Sequence, residues 1–184
     1  MSTIERRALL VVPALALFLL GPAGCGRHPA SPEKPKPQSN AGEIGSQLPE
    51  FSVTDLTGHR LSSTDLKGKV VLVDFWATWC QPCKKEMPGY QKLLDEYGSR
   101  GFAVVGFKAT MMMDTEPPLV FAKEAGVRYP LATASPAITS AFGGIQGLPT
   151  TFIYDHGGIL REKIIGFEYT NVIESKINSL LGTN

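Results

Sequence analysis

Residues 70–88 read V-V-L-V-D-F-W-A-T-W-C-Q-P-C-K-K-E-M-P. The apolar run 70–76, interrupted only by Asp74, has the length and the β-branched content of a strand that is buried on both faces. After a bend, apolar residues recur every three or four positions, which is the spacing of an amphipathic helix; they are Met87, Tyr90, Leu93, Leu94 and Tyr97. This stretch therefore predicts a buried strand that runs directly into a helix.

Cys80 and Cys83 lie where the predicted strand gives way to the predicted helix. The first N–H groups of a helix lack partners within the helix and its dipole is positive there, so a thiolate at this place is stabilised. We therefore expect the pKa of Cys80 to lie below the free value of about 8.5. Because residues three positions apart share one face of a helix, the two cysteines can form a disulfide. Closing so short a loop contributes only about 2 kcal/mol, so the disulfide should reopen easily.

The motif W-C-Q-P-C, preceded by V-D-F-W-A-T and followed by K-K-E-M-P, resembles the active site of thioredoxin-fold proteins. More narrowly, it is similar to that of the membrane-tethered TlpA/ResA-like thiol–disulfide oxidoreductases. The resemblance implies an α/β fold of three layers, in which helices flank a mixed central sheet, with an N-terminal β-hairpin and a helical insertion. It also implies that Cys80 and Cys83 are catalytic and that Trp79, Gln81 and Pro82 flank the bound substrate.

Zinc binding and covalent haem attachment are alternative explanations of a C-x-x-C motif. A zinc site would need two further ligands at suitable spacing, but His28, His59 and His156 are scattered through polar or turn segments. Haem attachment would need a histidine directly after the second cysteine, where the chain has Lys84. We therefore expect neither zinc nor haem at this motif.

Copper(I) is the metal that stays open as an alternative, because it prefers soft sulfur ligands. Met111, Met112 and Met113 could add thioethers to the two cysteines, although consecutive side chains point in different directions and suit a loop or gap-filling packing better. A copper(I)-binding carrier or chaperone is therefore the alternative function. A peroxidase is a further alternative, but the T-x-x-C spacing of peroxiredoxins is absent, because Thr78 lies two residues before Cys80.

The composition suits one globular domain with additional segments. The chain has 184 residues, of which 43% are hydrophobic and 19% are charged, and its net charge is +1. This balance argues against nucleic-acid binding driven by bulk charge. The cysteine count of three is odd, which is explained if Cys25 serves a purpose separate from the pair.

Residues 1–25 predict an export signal. Two arginines precede an apolar run at 8–20 that is too short to span a bilayer comfortably. The run ends in G-P-A-G-C, which resembles a bacterial lipobox with Cys25 as the lipidated residue, although Pro22 replaces the usual leucine. Ordinary cleavage and retention of the leader are the alternatives. In all three cases the domain lies outside the cytoplasm, in the periplasm or on the outer face of the cell membrane.

Residues 26–42 predict a tether. Four prolines stand among lysine, serine, glutamine and asparagine, with hardly any apolar side chain to bury. This composition favours a disordered, partly polyproline-II segment. At about 3.1 Å per residue it could hold the domain up to roughly 50 Å from a membrane.

The globular domain is predicted to span 43–184 as a βαβ unit followed by a ββα unit. A hairpin at 51–61 and the segment 119–142 resemble the N-terminal addition and the helical insertion of the TlpA/ResA-like group. The strand after the first helix, which ends near Gly98, is predicted at 102–107. The other predicted elements are a helical turn at 62–66, a helix at 119–126, a short strand at 129–131, a short helix at 136–142, an antiparallel pair at 150–154 and 159–165, and a final helix at 168–181.

Two further site residues follow from the resemblance. In thioredoxin-fold proteins the proline in the position of Pro149, in G-L-P-T-T, is cis and packs against the cysteine pair, and the backbone of Leu148 would bind an extended substrate. An ordinary trans proline is the alternative. Asp74 matches the buried aspartate of thioredoxins, and a buried carboxyl with a raised pKa can accept a proton from a thiol. The alternative is a surface acid on an edge strand.

Residues Lys84, Lys85 and Glu86 are expected to form a solvated face of the helix. We expect a monomeric oxidoreductase without a dissociable cofactor that reduces protein disulfides beside a membrane. Cys80 would attack the substrate disulfide, and Cys83 would resolve the mixed disulfide. A membrane electron donor of thiol–disulfide type would restore the dithiol, and the family resemblance implies a role in cytochrome c maturation.

Overall fold

The computed structural model describes residues 40–110 and 116–182. The predicted export signal with Cys25, the predicted tether up to residue 39 and the three methionines at 111–113 lie outside these ranges. Among the described residues, no helix is both long enough and apolar enough to cross a membrane.

The first elements are a two-stranded antiparallel hairpin, β1 (Ser52–Thr54) and β2 (Arg60–Ser62). Asp55 shapes the turn between them, because its carboxylate accepts hydrogen bonds from backbone N–H groups within the turn. A single 3₁₀ turn, Ser63–Leu66, follows and is capped by the hydroxyl of Ser62. The predicted hairpin and helical turn are both confirmed.

The strand β3 (Val70–Trp76) is fully buried and lies in the middle of a five-stranded mixed sheet. On one side β4 (Phe102–Ala109) pairs with β3 in parallel, and β5 (Leu131–Ala134) pairs in parallel with β4. On the other side β6 (Thr150–Tyr154) and β7 (Leu160–Ile165) add antiparallel strands. Alternate residues of β3 belong to two separate hydrophobic clusters, so the prediction of a strand buried on both faces is confirmed.

Helices complete the three layers that the sequence predicts. α1 (Gln81–Tyr97) and α2 (Pro118–Glu124) cover the face of the sheet that contains Leu72 and Trp76. α3 (Pro136–Ala141) lies with the hairpin on the opposite face. α4 (Thr170–Leu181) returns to the first face and packs against α1. The cysteine pair, at the start of α1, therefore lies at the end of the central strand.

The structure corrects the short strand predicted at 129–131. β5 begins only at Leu131, and Tyr129 is buried in the connection before it. The reason is Gln91 of α1, whose side-chain oxygen accepts the N–H groups of Arg128 and Tyr129 at 2.7 and 3.1 Å. Because a side chain occupies these donors, they cannot join a strand ladder. The other predicted elements differ from the observed ones by at most two residues at either end.

Candidate active site

Cys80 caps the first turn of α1, after a short connection that leaves β3. Its backbone is extended, with φ −82° and ψ 95°, and its sulfur accepts the N–H of Cys83 at 3.2 Å. Pro82 stands in the first turn, where no intrahelical N–H is needed. The predicted location is confirmed, and a thiolate at Cys80 would be stabilised both by this N–H and by the helix dipole.

The two cysteines form a disulfide, with Cα atoms 5.3 Å apart. Cys80 is 2% exposed and Cys83 is fully buried, so an incoming sulfur reaches Cys80 first. Gln81 and Pro82 are exposed, and Trp79 is half-buried against the cluster that contains both cysteines. These three residues therefore surround the disulfide where a partner molecule would approach it.

The peptide bond between Leu148 and Pro149 is cis, so the trans alternative is wrong. Pro149 directly precedes β6, whose first residue pairs with Phe75 near the end of β3. The loop therefore lies beside the connection to Cys80, and Leu148 packs against the cluster of the two cysteines. Within the described ranges, no hydrogen bond reaches the backbone N–H or C=O of Leu148. Both groups are available to an extended polypeptide.

A groove of about 900 Å³ adjoins this loop. Trp79 and Leu148 line it on the side of the disulfide, and α3 and the loop that follows it supply most of the remaining lining. All of the lining residues are uncharged, and several of them are glycine, serine or threonine. The groove can therefore accommodate polypeptide backbone next to the reacting sulfurs without placing it against a fixed charge.

Asp74 is completely buried in the central strand, which excludes the alternative of a surface acid on an edge strand. It shares with Leu72 and Trp76 the sheet face that α1 covers. Burial raises the pKa of Asp74 well above its ordinary value, and the neighbouring carboxyl of Glu86 raises this pKa further. Neither oxygen of Asp74 has a hydrogen-bond partner in the described part of the chain. Its role as a proton acceptor stays a prediction.

Glu86 overturns the prediction that Lys84, Lys85 and Glu86 form a solvated face. Its side chain is 1% exposed, and its Oε2 accepts the N–H of Glu168 at 3.3 Å. Burial raises the pKa of Glu86 to about 7, although that hydrogen bond acts in the opposite direction. The physical reason is its position three residues after Cys83, on the stripe of α1 that faces the core.

The two lysines also differ from each other. Lys85 is exposed as predicted. Lys84 is half-buried: its Nζ lies 3.7 Å from a carboxylate oxygen of Glu116 and 3.3 Å from one of Glu124, and it stands over the ring of Phe121. Lys84 therefore connects the start of α1 to α2.

Two tyrosines complete a buried polar cluster around the acids. The hydroxyl of Tyr90 hydrogen-bonds with Oγ1 of Thr151 at 3.0 Å, and the hydroxyl of Tyr129 has no partner among the described residues. Burial raises the pKa of both tyrosines, and the proximity of Asp74 and Glu86 raises it further. The sequence pattern placed Tyr90 in the apolar stripe of the helix and Tyr129 in a short strand, and it gave neither tyrosine a role at the site. The cluster holds two carboxyls away from water on the same side of the sheet as the disulfide.

In residues 40–110 and 116–182, no group of three or more histidine, cysteine, aspartate or glutamate side chains is arranged to hold a metal ion. The methionines that the copper(I) alternative would use lie outside these ranges.

Comparison with known proteins gives a consistent result. The model of the AhpC/TSA family matches residues 44–163. The thiol-disulfide oxidoreductase ResA of Bacillus thuringiensis (strain Al Hakam) is 34% identical over 139 residues, which cover 75% of this chain and 79% of the relative. The thioredoxin-like protein YneN of Bacillus subtilis is 35% identical over 135 residues, which cover 73% of this chain and 78% of that protein.

Solved structures agree in fold. A thiol:disulfide interchange protein of the thioredoxin family from Chlorobium tepidum TLS superimposes with a TM-score of 0.68 at 33% identity, over 77% of this chain and 100% of that one. A putative thiol:disulfide interchange protein DsbE from Chlorobium tepidum has the same TM-score at 27% identity, over 76% of this chain and 99% of that one.

Proposed function

The chain belongs to the AhpC/TSA family and is a thiol–disulfide oxidoreductase of the ResA type, and on this premise we propose that it reduces protein disulfides outside the cytoplasm, beside a membrane. The observation that supports this most is the placement of Cys80. Its sulfur accepts an N–H at the start of a helix, and Cys80 is the more exposed cysteine of the pair. Leu148, whose backbone has no hydrogen-bond partner among the described residues, packs against the same cluster. A nucleophilic thiolate and a docking site for extended polypeptide therefore adjoin each other.

The reaction begins with the enzyme in its dithiol form. The Cys80 thiolate attacks one sulfur of a substrate disulfide, so a mixed disulfide forms and the other substrate sulfur leaves as a thiolate. Cys83 then gives up its proton and attacks the sulfur of Cys80. The second substrate sulfur leaves and takes up a proton, and two electrons have passed to the substrate. The product state of the enzyme is the disulfide between Cys80 and Cys83.

The proton of Cys83 needs an acceptor, because this thiol is fully buried. We assign that role to Asp74, which lies on the same side of the sheet. A carboxyl with a raised pKa can take up a proton and return it near neutral pH, which an ordinary surface aspartate does poorly. Trp79, Gln81 and Pro82 contact the substrate in this scheme. No dissociable cofactor is required, since the electrons come from the dithiol.

The location and the partners are part of the same proposal. The predicted export signal at 1–25 and the proline-rich segment that follows it support an extracytoplasmic domain. This domain is held at a membrane either by a lipid on Cys25 or by the uncleaved leader. A membrane protein of thiol–disulfide type returns the enzyme to the dithiol form. The enzyme acts as a monomer, and its substrates include the cysteines of cytochrome c before haem attachment, as the ResA-like sequence implies.

The Cys83→Ser variant tests the assignment of the two sulfurs. Incubated with insulin as a disulfide-bearing protein, the reduced variant should accumulate a mixed disulfide through Cys80, because attack needs Cys80 alone and resolution needs Cys83. Intact-mass measurement detects the adduct. The matched Cys80→Ser variant should trap at least about tenfold less of the insulin adduct, and equal trapping by the two variants would contradict the assignment.

Equilibration of the wild-type cysteine pair with glutathione should give a reduction potential below about −200 mV, as a reductant requires.

A further inference from the structure

Two hydrogen-bond donors on the sheet face that α1 covers have no partner in the described part of the chain. They are the hydroxyl of Tyr129 and Nε1 of Trp76, and both residues are buried. Neither oxygen of Asp74, on the same face, has a partner there either. A buried polar group without a hydrogen bond costs free energy, so donors and acceptors that are left over in one place are candidates to serve each other.

Gly106 of β4 brings these groups together. The parallel register of β3 and β4 places Gly106 opposite Asp74, and neighbouring strands lie about 4.8 Å apart. A Cβ on Gly106 would stand 3.1 Å from Nε1 of Trp76 and 3.3 Å from Cε2 of Tyr129, the ring atom next to the carbon that bears the hydroxyl. It would also collide with Leu131. The absence of a side chain at Gly106 therefore admits both rings next to the carboxyl.

The backbone of Tyr129 is fixed by α1. Oε1 of Gln91 accepts the N–H groups of Arg128 and Tyr129 at 2.7 and 3.1 Å, and Nε2 of Gln91 donates to Asp95 at 2.7 Å. The guanidinium of Arg128 donates to both carboxylate oxygens of Asp95, at 2.9 and 2.7 Å. The ring of Tyr129 is therefore held in place by the same helix that begins at the cysteine pair.

The charged and titratable groups that face this site come from several elements. Within the described ranges they are Cys83, Glu86 and Tyr90 of α1, Lys108 of β4, Tyr129 itself and Glu168 before α4. Tyr90 and Lys108 already have hydrogen-bond partners. Burial raises the pKa of Tyr129, and the charges of the two acids raise it further, so its hydroxyl keeps its proton and remains a donor.

In the proposed function, Asp74 must be ionised when Cys83 gives up its proton, and burial opposes this ionisation. We propose that Tyr129 is a positioning residue of the reaction, whose hydroxyl donates a hydrogen bond to the Asp74 carboxylate, directly or through one water. Nε1 of Trp76 is the second donor. Hydrogen bonds to an ionised acceptor are the strong ones, so these donors favour the form of Asp74 that can accept a proton. Because it rests on the proposed function, this role of Tyr129 requires that Asp74 is the acceptor.

The step that Tyr129 supports is the resolution of the mixed disulfide. The S–H bond of Cys83 breaks, and its proton forms an O–H bond on Asp74. The electron pair that remains on this sulfur forms the bond to Cys80, and the substrate sulfur leaves with the pair of the broken S–S bond. The hydroxyl of Tyr129 keeps its own proton throughout.

The Tyr129→Phe variant removes this hydroxyl and keeps the ring. The reduced full-chain protein is mixed with oxidised glutathione at a concentration at which resolution is rate-limiting. Rapid quenching and intact-mass measurement then follow the mixed and the internal disulfide from pH 5 to pH 10. The apparent pKa of resolution should rise by about one unit, so that resolution is about tenfold slower at pH 7 and equal to wild type at alkaline pH. Formation of the mixed disulfide at Cys80 should be unchanged.

Tyr154→Phe is the matched control. Tyr154 is also buried, and its hydroxyl also lacks a partner among the described residues, but it belongs to the cluster on the opposite face of the sheet. This variant should keep the pH profile of wild type. In an Asp74→Asn background, Tyr129→Phe should have no further effect, whereas in a Glu86→Gln background it should keep its full shift.

Several outcomes would overturn the proposal. Slower resolution by the same factor at every pH would make the hydroxyl merely structural, and a shift that is lost with Glu86→Gln but kept with Asp74→Asn would assign it to Glu86. If urea unfolding shows that Tyr129→Phe does not fold, 3-fluorotyrosine at position 129 supplies a stronger donor. It should lower the apparent pKa, and no shift or a rise would refute the role. Wild-type kinetics in Asp74→Asn alone would instead refute the acceptor in the proposed function, and the role of Tyr129 with it.

Discussion

At the scale of single residues, the site contains two carboxyls that are held out of water. Asp74 and Glu86 lie on the side of the sheet that also holds Cys83, and the charge of Glu86 raises the pKa of Asp74. Two neighbouring carboxyls in a buried space cannot both ionise without cost. In the mechanism that we propose, Asp74 takes up the proton that the buried Cys83 thiol loses and later returns it.

Glu86→Gln should stabilise the protein at alkaline pH. The pKa of Glu86 rises from 4.5 to about 7 on folding, so the folded state keeps a proton that the unfolded chain releases. Stability from this group is fully present below about pH 4.5 and is lost as the pH rises through about 7. Glutamine cannot ionise and still accepts the N–H of Glu168. Relative to wild type, the variant should therefore gain about 3 kcal/mol between pH 4 and pH 8.

Urea unfolding of both proteins at pH 4, 6 and 8 measures this difference. A gap in unfolding free energy that is the same at all three pH values would show that Glu86 titrates at an ordinary pKa.

Asp74→Asn should slow thiol–disulfide exchange near neutral pH by about tenfold or more, because the acceptor for the Cys83 proton is removed. Attack by Cys80 should change little, so the mixed disulfide should persist longer. The variant should also be at least as stable as wild type at pH 8. Because the pKa of Asp74 is raised in the folded state, its contribution to the free energy of unfolding is fully present below about pH 3.9. This contribution is lost as the pH rises through the folded-state pKa.

Stopped-flow oxidation of the reduced enzyme by oxidised glutathione, with unfolding measured at pH 5 and pH 8, checks both parts. Unchanged exchange kinetics would remove Asp74 from the mechanism even if the stability effect is observed.

At the scale of elements, hydrophobic periodicity was sufficient to predict a strand or a helix wherever the pattern extended through the whole element. β3 and β6 lie at the predicted residues, and α1 ends within one residue of its predicted end, because each buries a face that its sequence period marks. The cysteine pair was predictable for a related reason, because its chemistry is local to the junction between a strand and a helix and the motif spans that junction. The cis form of Pro149 was predicted from the resemblance of G-L-P-T-T to thioredoxin-fold proteins.

Elements and site residues that depend on distant neighbours were not predictable in this way. The connection before β5 is held by Gln91, which no pattern around Tyr129 reveals. Glu86 has the spacing from Cys83 that marks the buried stripe of α1, and this was the signal available in the sequence. Its charge favoured a surface position instead, and the N–H of Glu168 that partly offsets the cost of burying this carboxyl lies 82 residues away in the sequence.

At the scale of the whole molecule, the proposed place of action depends on the export signal predicted at residues 1–25. Cys25→Ala should transfer the mature protein from the membrane fraction to the soluble extracytoplasmic fraction, because the site of lipidation is lost. Its rate of thiol–disulfide exchange should equal that of wild type. Cys80→Ser is the control, which should stay at the membrane and lose activity. Fractionation combined with intact-mass measurement decides the matter, and a membrane-bound Cys25→Ala protein with its leader attached would identify the leader as the anchor.

The strand order also determines how much of the chain must be synthesised before the site is complete. β3 pairs with β6 through residues far apart in the sequence, such as Val71 and Tyr154, so long-range closure must precede a complete site. A chain that has emerged only as far as α3 contains both cysteines but lacks β6, β7 and α4. In the observed strand order, β3 of such a chain has no neighbour on one side, and Glu168, which donates its N–H to Glu86, has not yet been made. We therefore expect thiol–disulfide exchange at the wild-type rate only after the final helix has been synthesised.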